Sequence, residues 1–123
     1  MRVLIVDDDK DFAELLEMDF NNKGCDVVSA ANAAEALSLL SIHYVDAIVA
    51  DMYMPGQNGL ELLRHVKGLL PAIPVFLVTG SVAAIKVAAQ AAMADGVFSK
   101  PEQLRDLVTV VTNACLKGKV AAA

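Results

Sequence analysis

Short apolar runs and longer amphipathic stretches alternate five times along this chain. Val3–Val6, Val27–Ala30, Ala47–Ala50, Val75–Val78 and Val97–Ser99 are bounded by acids, glycine or proline. Runs this short, with no polar alternation, suit parallel strands covered on both faces. The intervening stretches carry apolar residues at helical spacing. Phe12, Leu15, Leu16 and Phe20 form one stripe, Ala33, Ala36, Leu37 and Leu40 a second, and Leu62, Leu63, Val66 and Leu70 a third. The fourth helical stretch is the alanine-rich run Val82–Ala94. The last carries Leu104, Leu107, Val108, Val111 and Cys115.

Punctuation supports these boundaries. Asn32 with Glu35, and Asn58 with Glu61, have the spacing of an N-cap and an acid in the first helical turn. Gly24 and Gly68 are expected just past the ends of their helices. Repeated strand–helix units with short links imply right-handed crossovers and helices on both faces of one sheet. The expected fold is α/β: a (βα)5 doubly wound, five-stranded parallel sheet in the order 2-1-3-4-5. Residues 1–118 are expected to form a single domain and 119–123 a C-terminal tail.

Composition narrows the function classes. The chain has 123 residues, 56% hydrophobic and 20% charged, which is one globular domain with a real core. The longest apolar run, Leu69–Val78, contains Pro71 and Pro74 and is too short to span a bilayer. Met1-Arg2 runs directly into the first strand, which predicts no leader peptide. A net charge of −5 argues against nucleic acid binding by this surface. Cys25 and Cys115 are too few for a disulfide framework, and Cys115 continues an apolar stripe, so a reduced core thiol there and a cytoplasmic location are expected. His43 and His65 read as solvated surface.

The chemistry lies where strands end. The first strand ends in Asp7-Asp8-Asp9, the third in Asp51, the fourth in Thr79-Gly80-Ser81 and the fifth in Lys100-Pro101. In open α/β sheets the carboxyl edge is where ligands bind. Strands 1 and 3 are neighbours in the expected order, roughly 4.8 Å apart, so their terminal carboxylates crowd together. Like charges that close hold a proton or recruit a cation, and hard oxygens facing water suit Mg²⁺. Asp9 is better read as the cap of the first helix. Thr79 adds a hydroxyl and Lys100 a point cation. Carboxylate, metal, hydroxyl and ammonium are the set that places and neutralises a transferred phosphoryl group, with Asp51 as nucleophile.

Asp7-Asp8, Asp51 followed by Met54-Pro55 and Gly59, Thr79 with Gly80, and Lys100-Pro101 together resemble the receiver domains of two-component response regulators, of the chemotaxis-regulator-like kind. The resemblance covers essentially the whole chain. It implies a flavodoxin-like fold and a signalling domain that acts only on its own phosphorylation and dephosphorylation. Asp51 would accept a phosphoryl group from a histidine kinase or phosphotransfer protein. Mg²⁺ would be held by Asp8, Asp51 and the backbone carbonyl of Tyr53, with Asp7 acting through water. Thr79 and Lys100 would contact the phosphoryl oxygens, and the Lys100–Pro101 peptide would be cis. The face built from the fourth helical stretch, the fifth strand and the last helix would then regulate an output domain or downstream protein.

Three positions refine this picture. Val97 stands where the family usually has a switching aromatic, three residues before the lysine, and a valine cannot swing as a ring can. Phosphorylation is expected to survive and the output coupling to be altered, and alternation directs Phe98 to the opposite face. Met93 stands where the family commonly has glycine, which predicts an extra turn of the fourth helix. Tyr53 is placed either to cover the phosphoryl group or to lie on the surface. The run Val82–Ala94 is apolar nearly all round apart from Lys86 and Gln90, which predicts contact with a partner or with another copy of the chain.

The main rival is a small haloacid-dehalogenase-like phosphatase with its nucleophile in Asp7-Asp8-Asp9. That reading leaves Asp51 without a role and the chain without room for a substrate-recognising cap. A flavodoxin-like FMN binder would need a Ser/Thr/Gly phosphate loop where three aspartates stand. A degenerate receiver acting as a constitutive interaction module is disfavoured because every pocket position is present.

Overall fold

The strands form where the apolar runs predicted them. A computed structural model describes residues 1–54, 56, 58–80, 93–99 and 104–122, with backbone only for 117–122. The strands are β1 (Arg2–Val6), β2 (Asp26–Ala30), β3 (Ala47–Asp51), β4 (Val75–Thr79) and β5 (Gly96–Ser99). The described helices are α1 (Lys10–Asn22), α2 (Ala33–Ile42), α3 (Gly59–Leu69) and α4 (Leu104–Ala122). Pro55, residues 82–92 with the helix and contact face predicted for them, Lys100 and the Lys100–Pro101 peptide lie outside the described residues.

All strand pairs are parallel and the order is β2-β1-β3-β4-β5, as the sequence predicts. Alternating side chains split the core into two layers. Leu4, Val6, Ile48, Ala50, Val75 and Leu77 face α2 and α3, meeting Ala36, Leu62, Leu63 and Val66. Val3, Ile5, Ala47, Val49, Phe76 and Val78 face α1 and α4, meeting Leu16, Phe20, Leu107 and Val111. Every side chain of β3 and β4 is buried. Each large aliphatic in these strands contributes about 1.5–3 kcal/mol by leaving water.

Helix starts follow the predicted capping chemistry. Asp9 Oδ1 accepts from the Phe12 amide, Asn32 Oδ1 from Glu35 and Asn58 Oδ1 from Glu61, each filling an orphan donor of the first turn. Glu35 returns the contact by accepting from the Ala31 amide at 3.0 Å. Gly24 ends α1 with φ +83°, the left-handed conformation that glycine adopts without penalty.

Three expectations are corrected. Gly68 does not end α3. The helix continues through it to Leu69 and is capped at Leu70, because the Val66 carbonyl accepts from the Leu70 amide. Leu15 is exposed, and its place in the α1 core stripe is taken by Ala13, one helical step from Phe12 and Leu16. Met93 does not extend a helical turn: its φ is +68°, so it holds a left-handed conformation with a Cβ present.

Candidate functional site

The flush register of β1 and β3 builds the site. Val6 pairs with Ala50, so the next residues, Asp7 and Asp51, emerge side by side at the carboxyl edge. Continuing the alternation of Val3 and Ile5 puts Asp7 on the α1/α4 side, and that of Ala47 and Val49 puts Asp51 there too. Asp7 and Asp51 are buried, whereas Asp8 is exposed. Carboxylate oxygens of Asp7, Asp8 and Asp51 all lie within 4.8 Å of one another. Asp51 pairs with Val78 on its other side, so Thr79, buried to 1% exposure, stands one step further along the same edge. The structure therefore brings together Asp7, Asp8, Asp51 and the Thr79 strand end. Lys100 lies outside the described residues.

Backbone amides hold the carboxylates in place. The chain folds back after each strand, so that Asp7 Oδ1 accepts from the Asp9 amide at 2.9 Å and Asp51 Oδ1 accepts from the Tyr53 amide at 3.2 Å. A backbone N–H donor thus meets one oxygen of each carboxyl group. Each bond joins a residue to one two positions on, a turn that aspartate favours. Residue identity alone does not reveal which acid will fold back this way. The same return sets the Tyr53 ring outward at 62% exposure, at the mouth of the site.

The acids suit a hard divalent cation. Two oxygens bound to one Mg²⁺ lie at most about 4.2 Å apart, so the cluster needs only a small contraction to share an ion. Asp8 is open to solvent and keeps room for the waters that Mg²⁺ retains. A larger groove of about 1020 Å³ opens at the opposite edge, between Ile42, Tyr44, Leu69, Pro71 and Ile73. Its lining carries His43, Tyr44 and Asp46 but none of the predicted site residues. The three clustered carboxylates lie at the other end of the strands, at their carboxyl edge.

The strand beside the site accounts for Val97 and Phe98. Phe98 is buried on the α1/α4 side and its ring packs 6.3 Å from that of Phe76. Val97 lies against the other layer with Ala94, as alternation predicts. An interaction absent from the sequence reading anchors the start of these strands. Lys67 Nζ donates to Asp95 Oδ2 at 3.0 Å and to the Ile73 carbonyl at 2.9 Å, while the Val75 amide donates to Asp95 Oδ2 at 2.7 Å.

A parallel sheet in this order, with an acidic cluster where the strand order switches between β1 and β3, defines a flavodoxin-like scaffold. The chain belongs to the response regulator receiver domain family, whose model matches residues 3–112. It is thus the receiver domain of a two-component response regulator. Response regulator MprA of Mycobacterium tuberculosis is 33% identical over 109 residues, covering 88% of this chain and 47% of that protein. A CheY-like receiver domain protein from Methanospirillum hungatei superimposes with a TM-score of 0.88 at 28% identity, over 98% of this chain and 97% of that one. A Burkholderia pseudomallei response regulator, solved with a phosphorylated aspartic acid, calcium ion and citrate, superimposes with a TM-score of 0.82 at 25% identity, over 99% and 72%. The chain spans less than half the length of the curated relatives it matches. No described helix is long and apolar enough to cross a membrane.

Proposed function

We propose that Asp51 is the phosphoacceptor of this receiver domain, working with Mg²⁺ held by Asp8, Asp51 and the Tyr53 carbonyl, with Asp7 acting through a bound water. The observation that carries this reading is the gathering of three carboxylates at the ends of adjacent strands in a chain of this family. A bound Mg²⁺ would supply positive charge to offset that of the phosphoryl oxygens. An Asp51 carboxylate oxygen attacks phosphorus, the bond from phosphorus to the donor's imidazole nitrogen breaks, and that nitrogen recovers a proton. Thr79 and Lys100 meet the phosphoryl oxygens. The phosphodonor is a histidine kinase or phosphotransfer protein, and the output is a domain or partner protein engaged through the face that includes β5 and α4. The relative solved with a phosphorylated aspartic acid and a calcium ion supports the same chemistry here.

The test is labelling by a small acyl phosphate, acetyl phosphate, in the presence of Mg²⁺. The expected result is one phosphoryl group per chain, absent from Asp51→Ala and absent with chelator. Repeated turnover of phosphate esters without labelling at Asp51 would instead favour the phosphatase reading.

A further inference from the structure

Gly59 opens α3, and its backbone φ is not in the left-handed region. Among the described residues, only Gly24 and Gly56 are glycines with positive φ. A glycine in ordinary helical conformation weakens a helix relative to alanine, so its presence calls for another cause. Space supplies one. A Cβ at position 59 would lie 2.5 Å from the Asp51 carbonyl oxygen, 2.9 Å from the Met52 Cα and 3.1 Å from the Asp51 carbonyl carbon. All three are backbone atoms, which cannot swing aside as a flexible side chain can. The Gly59 amide also donates to the Met52 carbonyl at 2.9 Å, and the Met52 amide donates to the Val78 carbonyl at 2.9 Å. Met52, the residue after Asp51, is therefore held by β4 through its amide and by the first turn of α3 through its carbonyl.

We infer that Gly59 is a positioning residue for the acidic site. By permitting contact between the α3 backbone and the Asp51–Met52 peptide, it fixes the Asp51 carboxylate against Asp7 and Asp8 and sets the direction of the Tyr53 carbonyl. A methyl group there pushes the Asp51 carbonyl away from α3, lengthens the Tyr53 amide bond to Asp51 Oδ1 and opens the cluster. The inference rests on the proposed role of Asp51 and Tyr53 in holding Mg²⁺.

The experiment is Mg²⁺ titration of wild type, Gly59→Ala and the exposed control Gly68→Ala, followed by backbone amide shifts at Asp8, Asp51 and Tyr53. Thermal unfolding of the metal-free proteins is measured alongside. Gly59→Ala is expected to raise the Mg²⁺ Kd about tenfold or more, the range seen when groups supporting a metal ligand are lost. It should also move the Tyr53 amide resonance before any metal is added, and Gly68→Ala should do neither. A folded Gly59→Ala that binds Mg²⁺ like wild type overturns the inference. So does a Gly59→Ala chain that fails to fold even in the Gly68→Ala background, because the residue would then serve the fold and not the site. A wild type whose Asp8 and Asp51 amides ignore Mg²⁺ overturns the metal reading itself, whatever Gly59 does.

Discussion

Asp9 donates its backbone amide to the Asp7 carboxylate at 2.9 Å, while its own carboxylate turns away to accept from the Phe12 amide at 3.2 Å. Residues of one type, two positions apart, thus serve different ends: Asp7 belongs to the acidic site and Asp9 caps α1. Asp8 lies between them and faces solvent at the edge of the cluster.

Substitution should separate these roles. Asp8→Ala is expected to raise the Mg²⁺ Kd by at least about tenfold, because it removes an oxygen donor from a site that has few. Asp9→Ala should leave Mg²⁺ affinity near wild type and cost about 1 kcal/mol of stability through loss of the cap. Metal titration and urea unfolding of both variants measure the difference. Equal loss of metal affinity would refute the division.

Tyr53 stands outward at the mouth of the site, with its amide on Asp51 Oδ1. If its ring shields the phosphoryl group from water, Tyr53→Asn changes the lifetime of the phosphorylated form. Decay of the labelled protein, followed after removal of the phosphodonor, reports this directly. An unchanged rate would show that the ring is only a surface side chain.

The response to phosphorylation is expected to stay near the pocket. Val97 offers no ring to rotate, and Phe98 is held in the opposite layer against Phe76. Amide shifts with and without a phosphoryl mimic should therefore change at Asp7, Asp51 and Thr79 and fade along β5 and α4. A pattern that extends through β5 into α4 would count against the idea.

Asp95 accepts from the Val75 amide, and its own amide donates to the Val75 carbonyl at 2.8 Å. Its side chain is 39% exposed, so the ion pair with Lys67 adds little and the backbone acceptor matters more. Asp95→Ala strands the partly buried Val75 amide and should destabilise by about 1–3 kcal/mol. Asp95→Asn keeps an acceptor oxygen and should lose less. Chemical denaturation ranks the two, and equal losses would mean that the charge dominates.

Two backbone positions offer stability without touching the site. Met93→Gly relieves a left-handed side-chain-bearing residue, and Gly68→Ala stiffens an exposed helical position with open space around it. Each should gain about 1 kcal/mol, read as a higher thermal midpoint. A fall in either midpoint would refute the reading of that position.

Most of the architecture was legible because one short-range signal, uninterrupted apolar runs, predicts strands buried on both faces. The strand ends then follow, and with them the meeting of Asp7 and Asp51. Misreadings arose where local signals compete. Gly68 carries the usual mark of a helix end, yet the Val66 carbonyl finds its partner one turn later at Leu70. Leu15 fits the helical period but sits at the margin of the buried arc, where Ala13 packs closer. Met93 carries no mark of its turn, because methionine rarely holds a left-handed backbone and nothing in its residue type signals one. The anchoring of Asp95 by Lys67 joins residues 28 positions apart and has no local signature.

That anchoring gives the sheet a mechanical polarity. β4 and β5 are tied together at their amino ends through Asp95 and Val75, and their other ends, Thr79 and Ser99, pair at the edge that carries the site. A beam clamped at one end deflects at the other. The amino-terminal rim beside α3 is thus tied by side chain and backbone together, whereas the carboxyl edge at Thr79 and Ser99 is joined by strand pairing.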